Sequence, residues 1–246
     1  MSAGNKGFVN YGATCYLNSA LQCLSHIDIL NSDKFKEQVT KYKKDETPLL
    51  DEWFEIQDKL WSNDDDGTIN TMNFIKVFMD KCRENKIGFN SFEQNDTSEF
   101  LIHFMDFIHS EISRKITMNI TGESSNQLGK LYHNNLKQFK THFENSYSCI
   151  IDDFYSQSLS ITGCTKCNYK TDNHEPVQII SLTLESDYTS LTDCLDEYVK
   201  TFTLDNDNKW KCDNCLEEVS PEKKTFFWSF SPIIIFLIKK YDENGV

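Results

Sequence analysis

The spacing of apolar residues predicts a helical first half of the chain. Leu17, Leu21 and Leu24 lie three or four residues apart between Thr14 and Leu24, which places them on one face of a buried amphipathic helix. Further helices are predicted in segments 31–67, ending in an acidic loop at 63–67, in 71–82, and in 100–112 after the start signal Asp96-Thr97-Ser98-Glu99.

After Glu144 the pattern changes to short runs rich in β-branched and aromatic residues, which are typical of strands. The predicted strands are 148–151, 158–162, 177–184, 225–230 and 233–238. The polar stretch 119–127, which contains Gly122, is predicted to be a hinge or exposed loop between the two halves. We therefore expect an α+β fold, with a helical lobe followed by a β lobe.

Size and charge narrow the possible functions. With 246 residues, 39% of them hydrophobic, the chain can bury a sizeable core. A net charge of −13 argues against sequence-independent binding to nucleic acid or to an anionic membrane, since both need a basic surface. A partner with basic features fits better, although the acidity could also serve only to keep the chain in solution.

The sequence also predicts where the protein works. Its first residues lack the apolar stretch of a signal peptide, and the longest apolar run, Ile233–Ile238, is too short to span a bilayer. We expect a protein of the cytoplasm, the nucleus or both. The nine cysteines, some in Cys-x-x-Cys pairs, then indicate reduced thiols used for metal binding and catalysis.

The segment from Gly7 to Leu24 carries the first candidate chemistry. Cys15 stands at the predicted start of a helix, behind a turn that contains glycine, where backbone N–H groups and the helix dipole stabilise a thiolate. The Cys15 N–H and the Asn10 side chain could donate hydrogen bonds to the oxyanion of a tetrahedral intermediate. On spacing alone, a cysteine at a helix start is more often a small buried hydrophobic residue than a nucleophile.

A second segment, Phe92 to Leu101, combines Gln94 with the carboxylates of Asp96 and Glu99 at the start of a predicted helix. Carboxylates of this kind bind arginine side chains. The alternative is a plain capping box, in which the same residues only begin the helix.

Two Cys-x-x-Cys pairs form the third candidate site: Cys164 with Cys167, and Cys212 with Cys215. Four thiolates suit tetrahedral Zn²⁺, and a site closed by four sulfurs leaves no position for water or substrate. The metal would therefore be structural and would join two hairpins, because the gap between the pairs is long. Four cysteines without a metal are the alternative.

These segments resemble the ubiquitin-specific proteases, a family of papain-like cysteine peptidases. Residues 7–24 match the family's cysteine box almost residue for residue, and 92–101 resemble its Gln-Gln-Asp-x-x-Glu-Phe box, with Asn95 in place of the second Gln. Residues flanking the first cysteine pair resemble its fingers region, and 231–241 resemble its Pro-x-x-Leu-x-x-x-Leu-Lys-Arg-Phe strand.

The resemblance implies a papain-like α+β fold and a role for each site. Cys15 would be the nucleophile and Asn10 the oxyanion donor, while Gln94, Asp96 and Glu99 would contact the tail of ubiquitin, the expected partner. The cysteine pairs would hold structural zinc. Residues 1–146 would form a helical thumb, 147–228 the zinc-binding β fingers and 229–246 the start of a β palm.

One part of the expected catalytic machinery is not found. Amide hydrolysis by a thiol needs an imidazole, which the family supplies from a Gly-His-Tyr box, but no histidine of the chain follows a glycine or the 233–238 run. The histidines are 26, 103, 109, 133, 142 and 174, each expected to be a surface or helix residue. We expect the amino-terminal part of a protease, with a non-catalytic or truncated ubiquitin-binding relative, or a zinc scaffold, as alternatives.

Overall fold

The computed structural model describes residues 3–63, 67–89, 93–122, 125–204 and 209–240. The chain divides into two compact units. The first contains residues 1–114 and 146–151, and the second contains 115–145 and 152–246. Of the residues singled out above, Phe92, Tyr241 and most of the acidic loop lie outside the described residues.

The first unit is built from helices around an aromatic core. The helices are α1 (Cys15–Ser25), α2 (Asp28–Asn31), α3 (Asp33–Tyr42), α4 (Pro48–Trp61), α5 (Met72–Glu84), α6 (Thr97–Ile112) and the start of α8 (Cys149–Phe154). Phe78 and Phe104 lie with their ring centroids 4.9 Å and 5.8 Å from that of Phe100. The core is stabilised by the burial of apolar area, and contacts between aromatic rings also favour particular ring orientations.

A short strand pair leads into helix α1. Strands β1 (Gly7–Phe8) and β2 (Thr68–Ile69) run parallel, and the Val9 N–H extends the ladder by donating to the Ile69 carbonyl at 3.0 Å. This pairing fixes the chain directly before the segment that contains Asn10 and Cys15.

The second unit is mainly β. Its strands are β3 (Ser156–Gly163), β4 (Lys170–Val177), β5 (Ile179–Thr183), β6 (Phe202–Thr203), β7 (Trp210–Lys211), β8 (Glu218–Val219), β9 (Glu222–Ser229) and β10 (Ile235–Lys239), and its helices include α7 (Gln127–Phe143) and α9 (Leu191–Tyr198). An antiparallel sheet has the order β4-β3-β9-β6, while β10 pairs in parallel with β5. Cys194 of α9 packs against Ile180 and Leu182 of β5.

The prediction of one helix in 31–67 was wrong. Helix α3 ends at Tyr42, and α4 starts at Pro48, which is its first residue. Proline is favoured at that position, yet it disfavours helical backbone in the residue before it, so it separates two helices here. The prediction of a single helix followed the strong apolar pattern of α4. Helix α3 has a weaker apolar stripe, in which Phe35 and Val39 are the buried residues.

The strand predicted at 148–151 was also wrong, because helix α8 begins at Cys149. Ser148 starts the turn: its hydroxyl accepts the Ile150 N–H at 3.3 Å, and its carbonyl accepts the Ile151 N–H at 3.1 Å. Phe154 is buried, as are both isoleucines, and a spacing of three and four residues fits a helix. A run of two β-branched residues was too short to distinguish the two structures.

Helix α7 was not predicted, although its sequence carries an apolar stripe at helical spacing: Leu128, Tyr132, Leu136, Phe139 and Phe143. Its buried residues are Asn135 and Phe143, and polar groups attach it to β4. The Gln138 side chain accepts the His174 N–H at 2.8 Å, and the Asn135 amide lies 3.2 Å from the His174 ring. His174 is therefore a buried strand residue, and its expected place on a surface or in a helix was wrong.

The α+β class is confirmed, with helices concentrated in one unit and strands in the other. Within the described ranges, no helix is both long enough and apolar enough to cross a lipid bilayer.

Candidate active site and metal site

The turn before helix α1 orients the Asn10 side chain. Gly12 has a φ of +88°, a left-handed conformation that glycine adopts without strain. The buried Thr14 hydroxyl accepts the Tyr11 N–H at 3.0 Å and donates to Asn10 Oδ1 at 3.1 Å. Because the amide oxygen is engaged in this way, the Asn10 NH₂ group is the part that can donate to another molecule.

Cys15 is the first residue of α1, as predicted, and its side chain is exposed. The first N–H groups of a helix lack partners within the helix, and the helix dipole favours negative charge there. No acidic residue occupies the first turn of α1, so no carboxylate in that turn would repel a thiolate at Cys15. Asn10 is exposed in the same turn, and the alternative of a buried Cys15 is wrong.

The histidines of the first unit contact other groups. His109 lies 2.7 Å and 2.9 Å from the hydroxyls of Ser148 and Ser146, and His103 lies 3.9 Å from the Glu99 carboxylate. His26 contacts backbone carbonyls, at 2.8 Å and 3.0 Å. None of these contacts supplies a base to Cys15.

The predicted tail-binding residues lie at the start of helix α6. Asp96 caps this helix: its carboxylate accepts the N–H groups of Ser98 and Glu99 at 2.6 Å and 3.2 Å. The Ser98 hydroxyl and these N–H groups lower the pKa of Asp96, so the carboxylate is held in its charged form. Glu99 and Gln94 are exposed, and their role in substrate binding stays a prediction.

The two cysteine pairs come together in the second unit. The four Sγ atoms lie within 4.8 Å of one another, with Cys164 to Cys215 at 3.8 Å and Cys167 to Cys212 at 3.6 Å. In a tetrahedral site with Zn–S bonds of about 2.3 Å, sulfur atoms are about 3.8 Å apart. The arrangement therefore suits a metal ion held by four thiolates.

The two pairs have the same backbone conformation. In the first pair, the Cys164 N–H donates to the Tyr169 carbonyl, five residues later, at 2.8 Å. In the second pair, the Cys212 N–H donates to the Glu217 carbonyl, also five residues later, at 3.0 Å. The residue after each pair, Asn168 or Leu216, has a φ near +60°. The ligands were predicted from the sequence and these positions were not, although asparagine after a Cys-x-x-Cys pair is a usable signal for left-handed backbone.

A neighbouring amide, also missed from the sequence, supports one of the thiolates. The Asn214 NH₂ group donates to Cys167 Sγ at 3.4 Å. This bond and one from the Tyr169 N–H lower the pKa of Cys167 to about 6. The Asn214 amide thus favours the thiolate form of Cys167, which is the form that binds a metal ion.

Comparison with known proteins identifies the family to which this chain belongs. The model of the family described as "Ubiquitin carboxyl-terminal hydrolase" matches residues 6–246. The chain is 26% identical over 256 residues to Ubiquitin carboxyl-terminal hydrolase 2 of Bos taurus, covering 99% of this chain and 41% of that protein. It is 25% identical over 268 residues to Ubiquitin carboxyl-terminal hydrolase 21 of Rattus norvegicus, covering 99% of this chain and 46% of the relative.

Solved structures share the fold. A structure of the SAGA Ubp8/Sgf11/Sus1/Sgf73 DUB module bound to ubiquitin aldehyde matches 99% of this chain and 49% of the matched chain, with a TM-score of 0.69 and 19% identity. A second structure of that module, bound to monoubiquitin, covers 99% of this chain and 50% of the matched chain, with a TM-score of 0.70 and 19% identity. The chain spans less than half the length of the two curated relatives. By the extent of the family match, this chain belongs to the ubiquitin carboxyl-terminal hydrolase family.

Proposed function

We propose that this chain carries the nucleophile of a thiol-dependent deubiquitinase, which hydrolyses the peptide or isopeptide bond after the C-terminal glycine of ubiquitin. The observation that carries the proposal is the exposed Cys15 at the N-terminus of α1, beside an Asn10 amide whose oxygen is already engaged. Membership of the family supports the choice of ubiquitin.

In this mechanism the Cys15 thiolate attacks the glycine carbonyl, and the Cys15 N–H and the Asn10 NH₂ donate to the oxyanion. The leaving amine takes a proton from an imidazole, for which we assign no residue. Water then attacks the thioester and releases ubiquitin from Cys15. Glu99, Asp96 and Gln94 are proposed to contact the arginine-containing tail of ubiquitin.

The remaining assignments follow the same proposal. Residues 1–146 act as the thumb, 147–228 as the fingers and 229–246 as the start of the palm. Zn²⁺ is proposed as the metal of the four cysteines, where a closed set of thiolates would hold the two hairpins together without taking part in bond breaking. The expected location is the cytoplasm or the nucleus, and the acidic surface supports neither nucleic acid nor an anionic membrane as a partner.

A second candidate function is ubiquitin binding without cleavage. It is favoured by the contacts of His26, His103 and His109, all of which are with groups other than Cys15.

The test is hydrolysis of a fluorogenic amide of the ubiquitin C-terminus. We expect turnover that is lost in Cys15→Ser and kept in Cys23→Ser, a matched change at another exposed cysteine of α1. Measurable turnover that is equal in wild type and Cys15→Ser would refute the proposed nucleophile. Ubiquitin binding without turnover by the wild type would favour the second function.

A further inference from the structure

Three side chains on one side of helix α1 bind the backbone that precedes the candidate active site. They are spaced four residues apart and end at the C-cap of the helix, so they form a stripe, which we call the polar ladder. Its contacts are Asn18 Nδ2 to the Val9 carbonyl at 3.1 Å, Gln22 Nε2 to the Lys6 carbonyl at 2.8 Å, and His26 Nε2 to the Gly4 carbonyl at 3.0 Å.

The bound backbone is also fixed by groups other than α1. The buried Lys6 ammonium donates to the Lys59 carbonyl at 2.8 Å and to the Ser62 hydroxyl at 2.7 Å, at the C-terminal end of α4. The Gly4 N–H donates to the Leu60 carbonyl at 2.9 Å. The segment from Gly4 to Val9 is thus held along α1 in one register.

The ladder connects this register to the candidate chemistry. Asn10 follows Val9 directly, and Asn18 lies three residues after Cys15, on the adjacent part of the same helix. One rigid helix therefore holds both the nucleophile and the backbone that carries the candidate oxyanion donor. A shift of this backbone along α1 would move the Asn10 amide relative to Cys15.

We propose that Asn18, Gln22 and His26 are positioning residues that set the place of the Asn10 amide relative to the Cys15 thiol. The inference deepens the proposed function, since it rests on Asn10 as the oxyanion donor. It does not require that ubiquitin be the substrate.

Asn18 carries a sign that it does more than stabilise the fold. Its Oδ1 is buried and has no hydrogen-bond partner among the described residues, while its Nδ2 binds Val9. A buried acceptor without a partner costs stability. Leucine has nearly the same shape and would remove this acceptor together with the bond, so Asn18→Leu separates positioning from stability.

The test uses two reactions of Cys15 with small reagents. With p-nitrophenyl acetate, the thiolate attacks the acetyl carbonyl, a C–S bond forms, the C–O bond breaks, and p-nitrophenolate leaves with the bonding electron pair. This reaction passes through an oxyanion and needs no acid for its leaving group. With iodoacetamide, the thiolate displaces iodide and no oxyanion forms. Mass spectrometry of the peptide that contains Cys15 gives both rates.

The ratio of acylation rate to alkylation rate reports the position of the oxyanion donor. Asn10→Ala should lower the ratio by about 100-fold or more. Asn18→Leu and Gln22→Met should lower it by up to about 100-fold, because misplacement of a catalytic group by about 1 Å has an effect of that order. His26→Phe should lower the ratio of acylation rate to alkylation rate, whereas His26→Gln, which keeps a donor, should retain the wild-type ratio. Cys23→Ser serves as the control with an unchanged ratio.

The outcomes decide the two proposals separately. The proposed role of the ladder is refuted if Asn18→Leu and Gln22→Met keep the wild-type ratio. It is also refuted if Asn10→Ala keeps that ratio, since Asn10 would then not act as an oxyanion donor and there would be no donor for the ladder to position. A fall in alkylation as large as the fall in acylation would indicate a damaged fold and would also count against positioning. If ladder variants lower the ratio but the wild type fails to hydrolyse ubiquitin amide, the ladder stands and the proposed function fails.

Discussion

Lys81 of helix α5 and Glu111 of helix α6 form an ion pair with Nζ 2.8 Å from Oε1, and the Glu111 side chain is 3% exposed. The same carboxylate accepts the N–H groups of Leu49 and Leu50, at 3.2 Å and 2.8 Å. Glu111 therefore satisfies the first turn of α4 and a neighbouring cation together, and it joins three helices of the first unit.

Replacing Glu111 with alanine should strongly destabilise the first unit. The change leaves Lys81 without its buried partner and removes the acceptor of two buried N–H groups, so we expect a loss of about 3–5 kcal/mol in the free energy of unfolding. Urea denaturation followed by circular dichroism measures this. The control is Glu55→Ala, which breaks the exposed pair with Lys59 and should cost less than about 1 kcal/mol. Equal losses in the two variants would contradict this account of Glu111.

Much of the first unit could be predicted from sequence because its helices bury strong apolar stripes. Helix α6 illustrates this, since Asp96 caps it and Phe100, Phe104 and Ile108 recur at helical spacing. Helix α7 also carries an apolar stripe, but its attachment to a strand distant in sequence, through Asn135 and other polar contacts, could not be predicted. Pairings of this kind leave no periodic signal.

Removing the proposed zinc should destabilise the cysteine site without abolishing the helical core. The cysteines belong to the second unit, and the strands β7 and β8 between and beside the pairs have only two residues each, too few to be stable alone. We expect about one equivalent of zinc by mass spectrometry of the native protein, and loss of that zinc in Cys212→Ser.

Cys194→Ser is the matched control, since Cys194 is buried in the second unit but packs against β5. It should lose stability through packing and keep its zinc. Equal zinc content in Cys212→Ser and the wild type would rule out Cys212 as a ligand.

Stability should fall as the pH drops below neutrality. Burial disfavours the imidazolium form and lowers the pKa of His174, an effect that Asp172 partly opposes. Burial likewise lowers the pKa of His109, with Asp106 acting in the opposite direction and Lys44 in the same direction. The unfolded chain then binds protons at a pH where these folded histidines do not, so the free energy of unfolding decreases as the pH falls through about 6.5.

Urea denaturation at about pH 7.5 and about pH 5.5 measures this loss of stability. A double variant, His109→Gln with His174→Gln, should show a smaller loss over the same interval because neither glutamine titrates. An unchanged loss in the double variant would assign the pH dependence to other groups.

The candidate site was predictable to the extent that its residues are adjacent in sequence. Cys15 and Asn10 belong to one long motif, and each Cys-x-x-Cys pair is a local signal. What the sequence did not show is how these residues are oriented. The hydrogen bond from the Thr14 hydroxyl to Asn10 and the one from the Asn214 amide to Cys167 depend on side-chain geometry, which residue spacing does not encode.

Loss of charge at Asp96 or Glu99 should weaken substrate binding, although only Asp96 also caps helix α6. Asp96→Ser keeps a side-chain oxygen for the N–H groups of Ser98 and Glu99, so the helix cap and the thermal stability should be retained. If Asp96 also contacts the ubiquitin tail, KM for the ubiquitin amide should rise while kcat changes little. Glu99→Gln tests the same contact at a side chain that caps nothing. Unchanged KM in both variants would limit Asp96 to capping.

Thr14 offers the sharpest test of how Asn10 is oriented. Valine has the shape of threonine but neither accepts the Tyr11 N–H nor donates to Asn10 Oδ1, so in Thr14→Val the amide is free to turn. We expect kcat for the ubiquitin amide to fall by about 10-fold or more with KM nearly unchanged, because the lost interaction acts on the oxyanion and not on bound ubiquitin. Thr14→Ser keeps the hydroxyl and should retain most of the activity. If valine and serine at this position gave the same kcat, the hydroxyl would not be what holds Asn10 for catalysis.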